Sequence, residues 1–172
     1  MIREKNSSAG SQKIGSNCCK FLLSGFALFL ISSSFAQSRP FIQKHRPLAD
    51  SLSVVYGIPA AVMLGISIIE SSSGTSRNCR LLNNYFGIVG KNNLLRTRGI
   101  RTRYKQYPDA GASFADFCGV ISRKRFYKKL KGNMNCTLWI DAISKANYSE
   151  VPEIWKQRVT ATIRKNKLAG TP

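Results

Sequence analysis

One carboxylate in this sequence stands where water is scarce. Glu70 closes the run PAAVMLGISIIE that starts at Pro59. The run is apolar on nearly every side and reads as a helix buried in the middle of a domain. A carboxylate at the end of such a helix is hard to solvate, and burial disfavours its ionised form. The helix dipole pushes the same way, because Glu70 lies near its negative end. Both effects raise the pKa, and a carboxyl group that keeps its proton suits general-acid chemistry, the donation of a proton to a leaving oxygen. The bland alternative is a glutamate that reaches solvent where the helix surfaces. Metal chemistry is not indicated: the single histidine, His45, is far from any cysteine pair, and Cys79, Cys118 and Cys136 lack zinc-ligand spacing. No metal and no cofactor are expected.

The elements that must hold Glu70 follow from the surrounding pattern. Leu48, Leu52, Val55 and Tyr56 have helical spacing, Gly57 breaks it, and Pro59 pre-sets the first turn of the next helix, for which Gly74 is a stop signal. Residues 81–89 mix amides with aromatics, and residues 91–104 place basic side chains around Gly99 like a short hairpin or loop. Ser113 is an N-cap candidate, with Asp116 three positions on as in a capping box, for a helix carrying Phe114, Phe117, Val120 and Ile121. Further helices are expected over residues 123–130, over 137–146 with Trp139, Ile140 and Ile143 on one face, and over 152–167 with Ile154, Trp155, Val159 and Ile163 inward. The expected fold is mainly α, with at most a small β-hairpin.

Several of these segments together resemble a known family. IIESSSGTS (residues 68–76) followed by NNYFGI (residues 83–88) is similar to the paired signature of the bacterial endo-β-N-acetylglucosaminidases, which include autolysins and flagellar rod-associated wall hydrolases. In the same order, YGIPAAVMLGISIIE resembles the family's opening helix, SFAD (residues 113–116) its Ser-x-x-Asp, and WIDAISKANYSEVP (residues 139–152) its closing Trp-to-Tyr-to-Pro segment. The resemblance spans about residues 48–168. It implies a lysozyme-like helical domain whose cleft takes peptidoglycan strands, with the motif glutamate, here Glu70, protonating the glycosidic oxygen. Tyr148 matches the closing tyrosine near the cleaved sugar, and Asn84, Tyr85 and Phe86 match the amide and aromatics of the cleft. Asn84 could instead bond backbone in a turn, Phe86 could be core, and Asp116 could serve the helix rather than the substrate.

The departures from the family matter as well. Its second carboxylate comes from a hairpin after the NN-x-FGI segment, whereas here every charged residue from Val89 to Gln106 is Lys or Arg. Asp109 is the nearest substitute. Substrate assistance, in which the sugar's own 2-acetamido oxygen attacks the anomeric carbon, needs no second protein carboxylate. Ser72 and Asn147 stand where the family commonly has glycine. Rival readings are a lytic transglycosylase, which works with one glutamate, and a catalytically weak envelope-glycan-binding module.

Bulk properties set the context. Lys13 and Lys20, the apolar run 21–31 and the sequence Ser32 to Ala36 have the layout of a secretory leader, with Ser34 and Ala36 at minus three and minus one of a cut before Gln37. About 11 apolar residues are few for a membrane span of roughly 20. An uncleaved anchor is the alternative. Residues 1–36 thus read as a signal peptide, 37–46 as a linker or mobile arm, and 47–172 as the catalytic domain of an exported, monomeric protein. Residues 37–172 carry 23 basic against 7 acidic side chains, a net charge near +16. Such a surface seeks polyanions, and export favours peptidoglycan strands and anionic envelope polymers over nucleic acid, which is not an expected partner. With Cys18 and Cys19 removed, three cysteines permit at most one internal disulfide, and Cys79 with Cys118 is one possible pair.

Overall fold

The computed structural model describes residues 22–169, with side chains from Ser38 onward. The first 21 residues of the expected leader lie outside the described residues. The chain divides into two compact units, Met1–Phe35 and Ala36–Pro172. Of the first, the described part is helical backbone; everything below concerns the second. Eight helices are described: α1 Leu22–Tyr56, α2 Ala60–Ser71, α3 Arg77–Leu82, α4 Leu94–Arg98, α5 Ala110–Ser122, α6 Tyr127–Leu130, α7 Cys136–Lys145 and α8 Pro152–Lys165. Among the described residues no helix is long and apolar enough to cross a membrane. The only β-pairing described is an isolated antiparallel bridge, Val89 to Tyr104. The fold is mainly α, as the periodicity indicates.

Helix α2 is the centre of the domain. Its residues 61–68 are all buried, because an apolar helix with no polar face must be covered on every side. Helix α8 lies against it, and Gly65 makes the approach possible: a Cβ there would sit 2.6 Å from Ile163 and 3.6 Å from Val159. Trp139, Ile140 and Ile143 of α7 and Trp155, Val159 and Ile163 of α8 complete this face of the core. Ile154, expected inward, is 57% exposed. The buried stripe is 155, 159 and 163 at helical spacing, and a residue adjacent to it is turned about 100° away.

Other expectations need correction. Residues 37–46, read as a linker, are helical and belong to α1. Ser38, Phe41, His45 and Ala49 recur at helical spacing and are buried, so this segment docks on the domain although its remaining residues are polar. His45 packs against the rings of Phe41, Tyr85 and Phe114, and burial, with the nearby Lys44, holds its imidazole down to about 4. Helix α5 begins at Ala110, capped by the Asp109 carboxylate, which accepts from Ala112 N–H at 2.8 Å. Ser113 lies inside that helix, and its hydroxyl accepts from Tyr85 N–H. Residues 91–104 form the short helix α4 beside the single bridge, and the helix expected over 123–130 shrinks to α6. Cys79 and Cys118 are both buried and both free thiols.

Candidate active site

Glu70 lies in the last turn of α2 and is partly buried. Its Oε1 accepts a 2.8 Å hydrogen bond from the indole N–H of Trp155 on α8. Burial raises its pKa, and the Trp155 donor and the charge of Arg158 offset part of that rise. Its second oxygen lies on the side of Gly87, whose missing Cβ would come within 3.4 Å of Oε2. Gly87 has φ +68°, a backbone conformation that costs glycine nothing. Glycine thus serves this position twice, by shape and by space.

Glu70 opens into a cavity of about 380 Å³. One wall comes from residues 86–89 with Arg103 and Tyr104 across the bridge, another from Val120 and Lys124 at the end of α5, and a third from Asn147, Tyr148 and Ser149 between α7 and α8. Glu70 is the only carboxylate in this lining.

The structure brings together three of the residues singled out from the sequence: Glu70, Phe86 and Tyr148. Tyr148 donates from its hydroxyl to the Phe86 carbonyl at 2.8 Å, and its ring lies 5.3 Å from that of Trp155. Burial and the neighbouring Glu70 and Tyr107 hold its phenol well above the usual tyrosine range, so Tyr148 stays protonated and can donate or accept but not act as a base. Phe86 is only 2% exposed, stacked 4.2 Å from Phe117 and edge-on to Phe114. It forms the cleft floor mainly as core.

The other three stand elsewhere. Asn84 is buried and has no polar atom to spare: its amide donates to the carbonyls of Ile88 and Lys105, and its oxygen accepts from the N–H groups of Phe86 and Ile88. It clamps the cleft loop to the strand-like segment opposite. Tyr85 turns away into the cluster of Phe41, His45 and Phe114 and lies outside the cavity lining. Asp109 is the exposed cap of α5 and is likewise outside it. Asp116 supports the same wall rather than capping a helix: it accepts from Lys105 and from the Tyr107 hydroxyl, both at 2.8 Å. Burial works to raise its pKa, but those two donors outweigh it and hold the carboxyl below its ordinary value.

Trp155, Gly87, Arg103 and Lys124 are site residues that the sequence reading missed as such. The spacing marks Trp155 only as an inward helix residue, and nothing in one sequence tells that its N–H reaches Glu70 on α2. The two departures from the family's glycines gain a geometric reason: Ser72 has φ 50° and Asn147 has φ 57°, both in the left-handed region. Asparagine tolerates that region better than most residues. Ser72 is held there by its place at the end of α2, where its N–H closes onto the Ile68 carbonyl.

A family model described as mannosyl-glycoprotein endo-beta-N-acetylglucosaminidase matches residues 46–168. Among curated proteins no sequence match is found. The fold is similar to that of the glycoside hydrolase domain of FlgJ from Salmonella typhimurium, at TM-score 0.60 and 19% identity over 76% of this chain and 88% of that one. It is also similar to a peptidoglycan hydrolase from Sphingomonas sp. A1, at TM-score 0.59 and 20% identity over 75% and 89%. A chain in a type VI secretion system effector-immunity complex from Pseudomonas protegens gives TM-score 0.56 and 17% identity over 75% and 92%. At these identities the likeness is one of fold.

Proposed function

The chain belongs to the Glucosaminidase family of glycoside hydrolases, and on that premise we propose that it is an exported peptidoglycan hydrolase cutting the β-1,4 bond after N-acetylglucosamine, with Glu70 as the general acid. The observation that carries this reading is the Glu70–Trp155 pair at the foot of the cleft: a carboxyl group with raised pKa, one oxygen tethered and the other on the open side. The structural neighbours with peptidoglycan hydrolase or glycoside hydrolase in their descriptions support the same class.

With one carboxylate in the lining, substrate assistance balances the reaction. Glu70 gives its proton to the glycosidic oxygen as the bond to C1 breaks, and the 2-acetamido oxygen of the same sugar bonds to C1 in its place. The leaving strand carries the proton away as a hydroxyl. Water then attacks C1, Glu70 takes its proton, and the acetamido group is released. Tyr148, neutral and fixed on Phe86, orients the sugar ring beside Trp155. The lone carboxylate also suits a lytic transglycosylase, in which a 6-hydroxyl of the other wall sugar attacks instead. The two differ in the ends they leave.

A general acid works while protonated, so kcat/KM is expected to hold level on the acid side and fall only as pH rises through the elevated pKa of Glu70. Trp155→Phe removes a donor that favours the carboxylate, and the alkaline limb should therefore move further up while the rate drops. Reducing-end release from purified peptidoglycan across pH measures both. A wild-type limb at the ordinary glutamate position, or a downward move in Trp155→Phe, would contradict the assignment of Glu70; no new ends at any pH would contradict hydrolysis altogether.

A further inference from the structure

Two cations line the cleft with no structural task there. Arg103, on the wall formed by the Val89 to Tyr104 bridge, and Lys124, just past α5, face the cavity that Glu70 opens into. Their neighbours show what occupied basic residues look like: Lys105 is held at 2.8 Å by Asp116, and Lys156 at 2.7 Å by Asp141. Lys124 makes no ion pair among the described residues; the guanidinium of Arg103 lies 5.8 Å from the centroid of the Tyr104 ring, and the one carboxylate near it is Glu150 at 3.9 Å, with the two side chains 69% and 94% exposed. An ion pair that open contributes little. The groups that favour the carboxylate form of Glu70 are the Trp155 donor and the charge of Arg158. The rest of the lining is apolar or uncharged.

We infer that Arg103 and Lys124 form an anionic subsite that takes a carboxylate carried by the glycan beside the bond to be cut. This rests on the hydrolase reading above and adds which strands are cut. A neutral oligosaccharide of N-acetylglucosamine offers these cations nothing. In peptidoglycan every second sugar bears a lactyl ether extended by a peptide with free carboxylates, so the sugar next to the bond to be cut carries an anionic group, and both cations share the cavity lining with Glu70. Guanidinium and ammonium groups donate charge-assisted hydrogen bonds to a carboxylate, roughly twice as strong as neutral ones, and the guanidinium can do so through two parallel bonds. Substrate choice would then be set by the peptide stem as well as by the sugar.

The test compares native peptidoglycan with the same material after its carboxylates are converted to methylamides. The full chain, Arg103→Gln with Lys124→Gln, and Lys128→Gln with Lys129→Gln are assayed for new reducing ends. Lys128 and Lys129 are outside the cavity lining and carry the same charge change. The wild type is expected to favour native over amidated substrate by roughly tenfold in kcat/KM, the cleft variant by about twofold, and the remote variant by roughly tenfold still. Equal cutting of both substrates by the wild type, or an equal fall in preference in both variants, overturns the subsite alone. Absence of new ends from either substrate overturns the hydrolase reading and the subsite with it.

Discussion

Glu70→Gln is expected to lower the release of reducing ends from peptidoglycan by on the order of 10³-fold while the protein stays folded, the magnitude typical of a lost general acid. The substitution is nearly isosteric, and the glutamine carbonyl can still accept from Trp155 N–H, now at 2.8 Å from Oε1. It also removes an ionisable group whose burial disfavours its charged form, so thermal stability should be unchanged or slightly higher. Activity and stability would thus part company, which a merely structural glutamate would not produce. A variant with half the wild-type rate, or one that loses rate and stability together, would remove Glu70 from the chemistry.

The largest stability effect is expected at Phe86. Its ring is 2% exposed, stacked on Phe117 and edge-on to Phe114, in the core cluster that α2 organises. Truncation leaves a cavity that the ring stack cannot refill, at a cost of roughly 3–5 kcal/mol. Tyr148 hangs from the Phe86 carbonyl, so the cleft should loosen as the core does. Urea unfolding of Phe86→Ala measures this directly, through a lower midpoint at unchanged slope. A loss under about 1 kcal/mol would mean that the ring serves the cleft rather than the core.

These two residues show what a sequence can and cannot tell about such a site. Glu70 was legible because one carboxylate ended a helix with no polar face, a conflict that local physics flags without any structure. The α8 stripe is legible from spacing at 155, 159 and 163, and Ile154 is overread because it lies about 100° round the helix from Trp155, off that stripe. The roles of Asn84 and Asp116 were not legible. Their partners are the carbonyl of Lys105, 21 residues on, and the side chains of Lys105 and Tyr107, 11 and nine residues back, which only the folded chain brings near. The docking of residues 38–49 was written at every third or fourth position but hidden by the polar residues between. Ser72 and Asn147 looked like defects against the family pattern, yet each stands in the conformation for which glycine is the usual choice.

The glucosaminidase reading turns on which bond is cut and by which attacking oxygen. Mass spectrometry of the soluble fragments released from purified peptidoglycan reads both at once. N-acetylglucosamine at the new reducing ends is the predicted result; 1,6-anhydro-muramic ends would instead identify a lytic transglycosylase and contradict the account.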